Sequence, residues 1–570
     1  MRASCLGLVH TASLIFILFC IENIQVHPSI AADNNSQLVA QSISAAGQTQ
    51  LRSTVQRGEL ASMLRPSFFQ IQRQVQEFYA SCQYGLPWIR NSQPTPQARA
   101  LIQAFANAQS RGLRPGDYDG PQWTARLSNF DRNPQLPESV LVEFDVAVTV
   151  AAMRYLSDLH TGRVNPRLFH FGFDVDRGRY DLAQFLGERL VNASDTVAVL
   201  QTVDPPFPGY QRTLAALHTY QQLATTDTGE SLGVPKKPVA PEGSYDGISR
   251  LTRLLTLEGD LPSNAATQTE STLYTEPLVS AVKRFQARHG LDENGQIDAP
   301  TVRELNVPFR ERVEQLEVVL ERWRWVPHEF ARPPVVVNIP EFRLHVNDQQ
   351  YHWVLSMRVV VGKAYRHQTP VFASEMKYVT FRPDWNVPAA IQRDEIVPEL
   401  AKHPEDMQKK DYEVVDRSGK VVAQDISNPE ILEQLRSGKL GIRQRPGANN
   451  SLGRIKFGIP NDYGIYLHGT PAQELFAKSR RDFSHGCIRV EDPAGLAAWV
   501  LRDKPEWTPD RIREAMDADR SVTVKLENPI PVLIIYGTAV VSEDQQVYFF
   551  RDIYGHDAAL EKVLAAQAHE

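Results

Sequence analysis

Cysteine is scarce in this sequence: there are 4 in 570 residues. Two of them, Cys5 and Cys20, fall in the N-terminal targeting segment discussed below, so a scaffold stapled by several disulfides is excluded. Long apolar runs are also lacking. After the N-terminal stretch none approaches the roughly 20 residues of a spanning helix, which excludes a many-span membrane protein. Nor is there an excess of positive charge, since 61 Lys and Arg stand against 67 Asp and Glu for a net charge of −6. The basic footprint of a nucleic-acid binder is therefore missing. What remains is ordinary globular composition, 42% hydrophobic and 22% charged. At roughly 150 residues per domain the length predicts three or four domains.

Arg2 precedes a mainly apolar stretch from Leu6 to Ile21, followed by the small residues Ser29 and Ala31 in an A-x-A-like pattern. This predicts an export signal over residues 1–32, with an uncleaved inner-membrane anchor as the alternative. Leu18-Phe19-Cys20 is no lipobox, because Phe stands where a small residue should precede the cysteine. The expected location is the periplasm, with possible attachment to the inner membrane. Residues 33–59, rich in Ser, Gln and Asn, read as a flexible tether.

From residue 60 to 224 apolar residues recur three or four apart, as in Leu141, Phe144, Val148, Ala151 and Tyr155, which predicts an α-helical scaffold domain. The run Asp158 to Phe169, with Gly162 and Pro166, reads as a solvated turn carrying Arg163 and Arg167. Residues 225–245 are dense in Pro, Gly and Thr and read as a linker. Three short helices are expected over 246–308, closed by Gly259 and Gly290, with Asp298 capping the third. The run from Leu251 to Asn306, with AVKRFQARHGLDENGQIDAPTVRELN at its heart, resembles the peptidoglycan-binding domain of cell-wall enzymes. Phe309, Val313, Leu316, Leu320 and Trp323 describe a connecting helix over 309–328. From Val335 the period becomes two, predicting a mainly-β domain over 329–527 with an inserted, partly helical cap at about 397–443. Residues 528–570 read as a C-terminal hairpin and tail.

The chemistry concentrates in IYLHGTPAQELFAKSRRDFSHGCIRV, Ile465 to Val490. Read as one strand, SHGCIRV puts His485, Cys487 and Arg489 on one face and Ile488 and Val490 toward the core. His468 ends another strand and is followed by Gly469, which permits close backbone approach. A thiol beside an imidazole or a cation becomes a good nucleophile as its pKa falls. Cys487 is thus expected to be free and reactive, and Cys82 a buried filler; the alternative is one disulfide between them. A zinc site on His468, His485 and Cys487 is the competing reading, weakened by the missing fourth ligand.

HGT followed by SHGCIRV, with Gly469 to Phe483 between His468 and Ser484, resembles the signature of the YkuD-type L,D-transpeptidase family. The wider arrangement resembles its large YcbB-like members, which share RPDWNVP (Arg382 to Pro388) and NNSLGRIKFGIP (Asn449 to Pro460). The implied fold is a multidomain α+β chain: a helical scaffold, a small three-helix peptidoglycan-binding-like bundle and a mainly-β catalytic domain with an inserted cap. The resemblance implies Cys487 as nucleophile and His468 as general base oriented through Gly469, with His485 as the competing base. It also implies Ser484, Gly486 and Arg489 around the oxyanion and substrate. The implied reaction is acyl transfer through a thioester, from a peptidoglycan tetrapeptide stem to the side-chain amine of a third residue on another stem, without cofactor or metal. Hydrolysis by the same residues and a catalytically inert wall-binding scaffold are the alternatives.

Overall fold

The computed structural model describes residues 40–175, 180–227, 229–265 and 272–566. The expected targeting segment and the first part of the expected tether lie outside them. Residues 45–57 are not a spacer: Ala45–Arg57 is a helix, capped by the Ser44 hydroxyl accepting from Gly47 N–H and stopped by Gly58 in the left-handed region. Polar composition hid its one apolar stripe, where Leu51 and Val55 are fully buried.

That helix packs on Glu138–Thr161, a 24-residue helix at the centre of the N-terminal domain. Leu141, Phe144, Val148, Ala151 and Tyr155 are all buried, as their spacing predicts. So is Asp145, which accepts from the Tyr79 hydroxyl at 2.7 Å and from Trp88 N–H at 2.8 Å. Thr149, one turn on, meets the same two residues through the Tyr79 hydroxyl and the Trp88 indole, both at 2.9 Å. The two side chains pin Gln72–Ser81 and the Trp88 segment to the central helix. Cys82 is buried beside them, and both Cys82 and Cys487 are free thiols.

The turn after the central helix is buried at Arg163 and Val164, while Arg167 is exposed, as expected of a solvated turn, and pairs with Asp174. Arg163 lies between Asp117 and Glu321, 3.8 Å from each, and Val164 N–H donates to Glu321 at 2.9 Å. Glu321 belongs to the connecting helix Phe309–Trp323 and is inaccessible to solvent. The sequence pattern missed this because the partner carboxylates are far off in the chain. The segment after Pro208–Thr226 is likewise held: Leu232 is buried and its N–H donates to Asn306 at 2.7 Å. Helices Ile248–Leu257, Leu278–Arg288 and Ala299–Leu305 follow, the last with Asp298 as its N-cap.

The C-terminal domain is built on a nine-stranded sheet. Its order is Asp482–Ser484, Trp353–Gly362, Ile488–Val490, Leu467–His468, Ile455–Gly458, Phe372–Phe381, Val522–Ile535, Val335–Asn338 and Arg343–Asn347. The last strand pairs back onto Trp353–Gly362, so the sheet curls toward closure. Val532–Ile535 is therefore a central strand and not half of a terminal hairpin. Its VLII run pairs parallel with Val335–Asn338 on one side and antiparallel with Phe372–Phe381 on the other. A near-continuous apolar run is what a doubly flanked strand requires. The true hairpin is Ala539–Val541 with Val547–Phe549, and a helix, His556–Ala566, follows it.

Between Phe372–Phe381 and Ile455–Gly458 the chain leaves the sheet to form a small unit. It has four strands in the order Trp385–Asn386, Gly441–Gln444, Tyr412–Val415, Val421–Ala423. Val397, Leu400, Met407, Val414, Leu435 and Ile442 form a separate core there. The insertion starts about a dozen residues before the expected position 397, because RPDWNVP supplies its first strand.

Replacing Asp145 with Ala strands the Tyr79 hydroxyl and the Trp88 N–H, and is expected to lower the stability of the helical domain by about 3 kcal/mol. The measurement is the helical circular dichroism signal against urea; an unshifted transition counts against the network.

Candidate active site

Strand register builds the site. Leu467–His468 runs antiparallel to Ile455–Gly458 with Lys456 opposite His468, and parallel to Ile488–Val490 with His468 beside Arg489. Since side chains alternate, Leu467 and Ile488 enter the core while Lys456, His468 and Arg489 share the other face. Tyr466, two residues before His468, joins them: the two rings stand 5.6 Å apart, and Lys456 Nζ lies 4.0 Å from the Tyr466 ring centre.

His468 is buried, and its Nδ1–H donates to the Gly469 carbonyl at 2.5 Å. That bond selects the tautomer whose Nε2 is an acceptor. Burial, reinforced by the Arg489 guanidinium, pushes the imidazole pKa down to about 3, so the ring is neutral. Arg489 is half-buried, and among the described residues its Nε has no hydrogen-bond partner.

The chain does not run through Cys487 as a strand. Asp482–Ser484 and Ile488–Val490 are separate strands, and Gly486 between them has φ +114°, a conformation that L side chains rarely adopt. This turn breaks the alternation that would have aligned His485 with Cys487. The His485 imidazole instead meets Glu395 of the inserted unit, Nε2 to Oε1 2.5 Å, and its ring lies 4.7 Å from that of His367. Ser484 closes the turn, its hydroxyl donating to the Cys487 carbonyl at 2.6 Å and accepting from Gly486 N–H at 3.1 Å. The Gly486 N–H is thus occupied and is not available to an oxyanion. The Cys487 N–H makes no hydrogen bond among the described residues. Thr369 braces the turn from outside, donating to the Gly486 carbonyl at 2.7 Å and accepting from Gly362 N–H at 2.9 Å.

Cys487 Sγ lies 3.9 Å from the Gly464 carbonyl and beside both the hydroxyl and the N–H of Tyr466. Among the described residues neither imidazole is a hydrogen-bond partner of the sulfur. Burial is the dominant influence and pushes the thiol pKa up, opposed by the two Tyr466 donors and by the positive charges of Lys456 and Arg489. The resting site is therefore a neutral thiol and a neutral imidazole, and the lowered thiol pKa expected from sequence is not its resting state. The zinc set of His468, His485 and Cys487 is not assembled either, because the Gly486 turn sends His485 elsewhere.

Sequence reading passed over three residues of this site: Lys456, Tyr466 and Trp385. The last comes from the inserted unit and hydrogen-bonds Tyr466. The alternation Tyr466, His468 carried a signal for the tyrosine. Lys456 needed the strand register, and Trp385 needed the tertiary fold.

Comparison with known proteins agrees with this architecture. Residues 333–532 match the YkuD family, the L,D-transpeptidase catalytic domain, and residues 73–217 match a family described as a scaffold domain. A curated relative from Haemophilus influenzae, named "Putative L,D-transpeptidase", is 31% identical over 263 residues. The match covers 45% of this chain and 50% of that relative, so the chain spans half the length of the relative it matches.

Alkylation of Cys487 requires the thiolate, so its rate against pH should reach half-maximum above the value for a free cysteine. Lys456→Met and Tyr466→Phe each remove a group that favours the anion, and each should move that half-point further up. A half-point near neutrality would reveal a preformed thiolate and contradict the neutral resting pair.

Proposed function

We propose that this chain, whose C-terminal domain is a YkuD-type L,D-transpeptidase catalytic domain, is an exported enzyme that forms 3→3 cross-links in peptidoglycan through a thioester on Cys487. The observation that carries the reading is one sheet face bearing a buried neutral imidazole, two cations and a tyrosine around a free thiol. His468 is a competent base because its Nε2 is unprotonated and its Nδ1–H is already committed to Gly469.

In the first half-reaction the Cys487 sulfur attacks the carbonyl of the donor stem's third residue and its proton passes to His468. Lys456, Arg489 and the Tyr466 donors offset the negative charge that develops on sulfur. The free Cys487 N–H is the backbone donor suited to the tetrahedral oxygen. Collapse of the tetrahedral state breaks the peptide bond, and His468 returns the proton to the departing D-Ala amine. The second half-reaction runs in reverse order. The acceptor's side-chain amine attacks the thioester, gives a proton to His468 and releases the thiol. With water as acceptor the same steps amount to carboxypeptidase activity. Because Trp385 hydrogen-bonds Tyr466, the inserted unit stands where it can limit the entry of water. The three-helix unit serves as the wall-binding module, and the N-terminal segment directs export, with retention at the inner membrane as the alternative.

Incubation with a defined tetrapeptide followed by mass spectrometry tests this. Cys487→Ala should abolish the 3→3 dimer while leaving sedimentation with sacculi intact, and His468→Ala should slow dimer formation by about 10²- to 10⁴-fold. An unchanged dimer yield in the cysteine variant overturns the nucleophile assignment, and products lacking only D-Ala would identify a hydrolase.

A further inference from the structure

His367, Glu395 and His485 come from three different parts of the C-terminal domain: the loop after Trp353–Gly362, the inserted unit and the turn before Cys487. One ligand atom from each lies within 4.8 Å of the others. His485 Nε2 and Glu395 Oε1 are 2.5 Å apart, and the two imidazole rings stand 4.7 Å apart at 60°. We propose that these residues form a zinc site that fastens the inserted unit to the turn carrying the nucleophile.

The donor set is suited to the ion. Two imidazoles and one carboxylate with an open fourth position are a recurrent zinc arrangement, with bonds of about 2.0–2.2 Å. Tetrahedral bonds of that length place donors roughly 3.3 Å apart. The His485–Glu395 contact must therefore open slightly while His367 closes in. Both movements are accessible, since Glu395 is exposed and both histidines are half-buried. The supports differ in stiffness. His485 is backed by a turn locked through Ser484 and Thr369. His367 sits on the chain that covers this turn, where a Cβ on Gly486 would lie 3.9 Å from the His367 carbonyl. Glu395 lies in the helical segment Gln392–Ile396 of the insertion. Asp394, whose carboxylate feels the charge of His367, is paired with Arg393.

A metal here would not take part in acyl transfer, because the His468 imidazole and the Cys487 sulfur belong to a different cluster. Its effect is mechanical: an ion bound by both sides replaces a single contact between an exposed carboxylate and a half-buried imidazole with three coordinate bonds. The insertion and the nucleophile turn would then move as one body, so that zinc sets how often the site opens.

Titration of the full chain with Zn²⁺ alone, followed calorimetrically and by metal analysis after gel filtration, should give about one ion per chain. His367→Ala, Glu395→Gln and His485→Asn should each weaken binding by at least about tenfold, whereas Cys487→Ala should bind as the parent does. Co²⁺ in the same site should show visible ligand-field bands without a thiolate charge-transfer band. Zn²⁺ should also slow proteolytic nicking of the insertion in the parent and not in Glu395→Gln. Binding that survives all three substitutions, is lost with Cys487→Ala or brings a thiolate band overturns the proposal. These readouts do not depend on the transpeptidase reading.

Discussion

The parallel pairing of Leu467–His468 with Ile488–Val490 is the constraint on which the site rests. It is a short contact between two brief strands, yet it decides which side chains share a surface. A one-residue slip of either strand would turn its own side chains over, sending His468 into the core and Leu467 out, or Arg489 in and Ile488 out. The apolar partners on the buried side, both inaccessible to solvent, therefore hold the catalytic register as firmly as any polar bond on the open side. Burial of His468 follows from the same pairing, and with it the neutral ring that a base requires.

Two turns adjust what the register provides. Gly486, in a backbone conformation closed to most residues, separates the fate of His485 from that of Cys487 although only one residue lies between them. The insertion then reaches both products of that separation, through Trp385 on the nucleophile side and Glu395 on the other. One small unit with its own core is thus coupled to the thiol through Tyr466 and to the His485 imidazole on the other side of the turn.

Much of this was legible in the sequence, for identifiable reasons. Helical spacing located the central scaffold helix because its apolar residues face a core on almost every side, and period two located the β domain. HGT and SHGCIRV stood out because a thiol, two imidazoles and a cation crowd into a few positions. What escaped depended on distant partners. Arg163 looked solvated until Asp117 and Glu321 arrived from elsewhere. The Ala45–Arg57 helix looked like a spacer because Leu51 and Val55 are the only large apolar side chains it buries. Treating SHGCIRV as one strand failed at the glycine, the one residue type able to end the alternation so abruptly.

Val522–Ile535 lies in the middle of the sheet, flanked by strands that precede it by well over a hundred residues. A chain emerging from its N-terminus therefore exposes both flanking strands long before the piece that joins them. Until that strand arrives, Phe372–Phe381 and Val335–Asn338 present unpaired edges, the kind of surface that recruits other chains. The order of synthesis thus makes a late-arriving strand the gatekeeper of maturation, and assigns to this domain a vulnerable interval in which a holding chaperone has the most to protect.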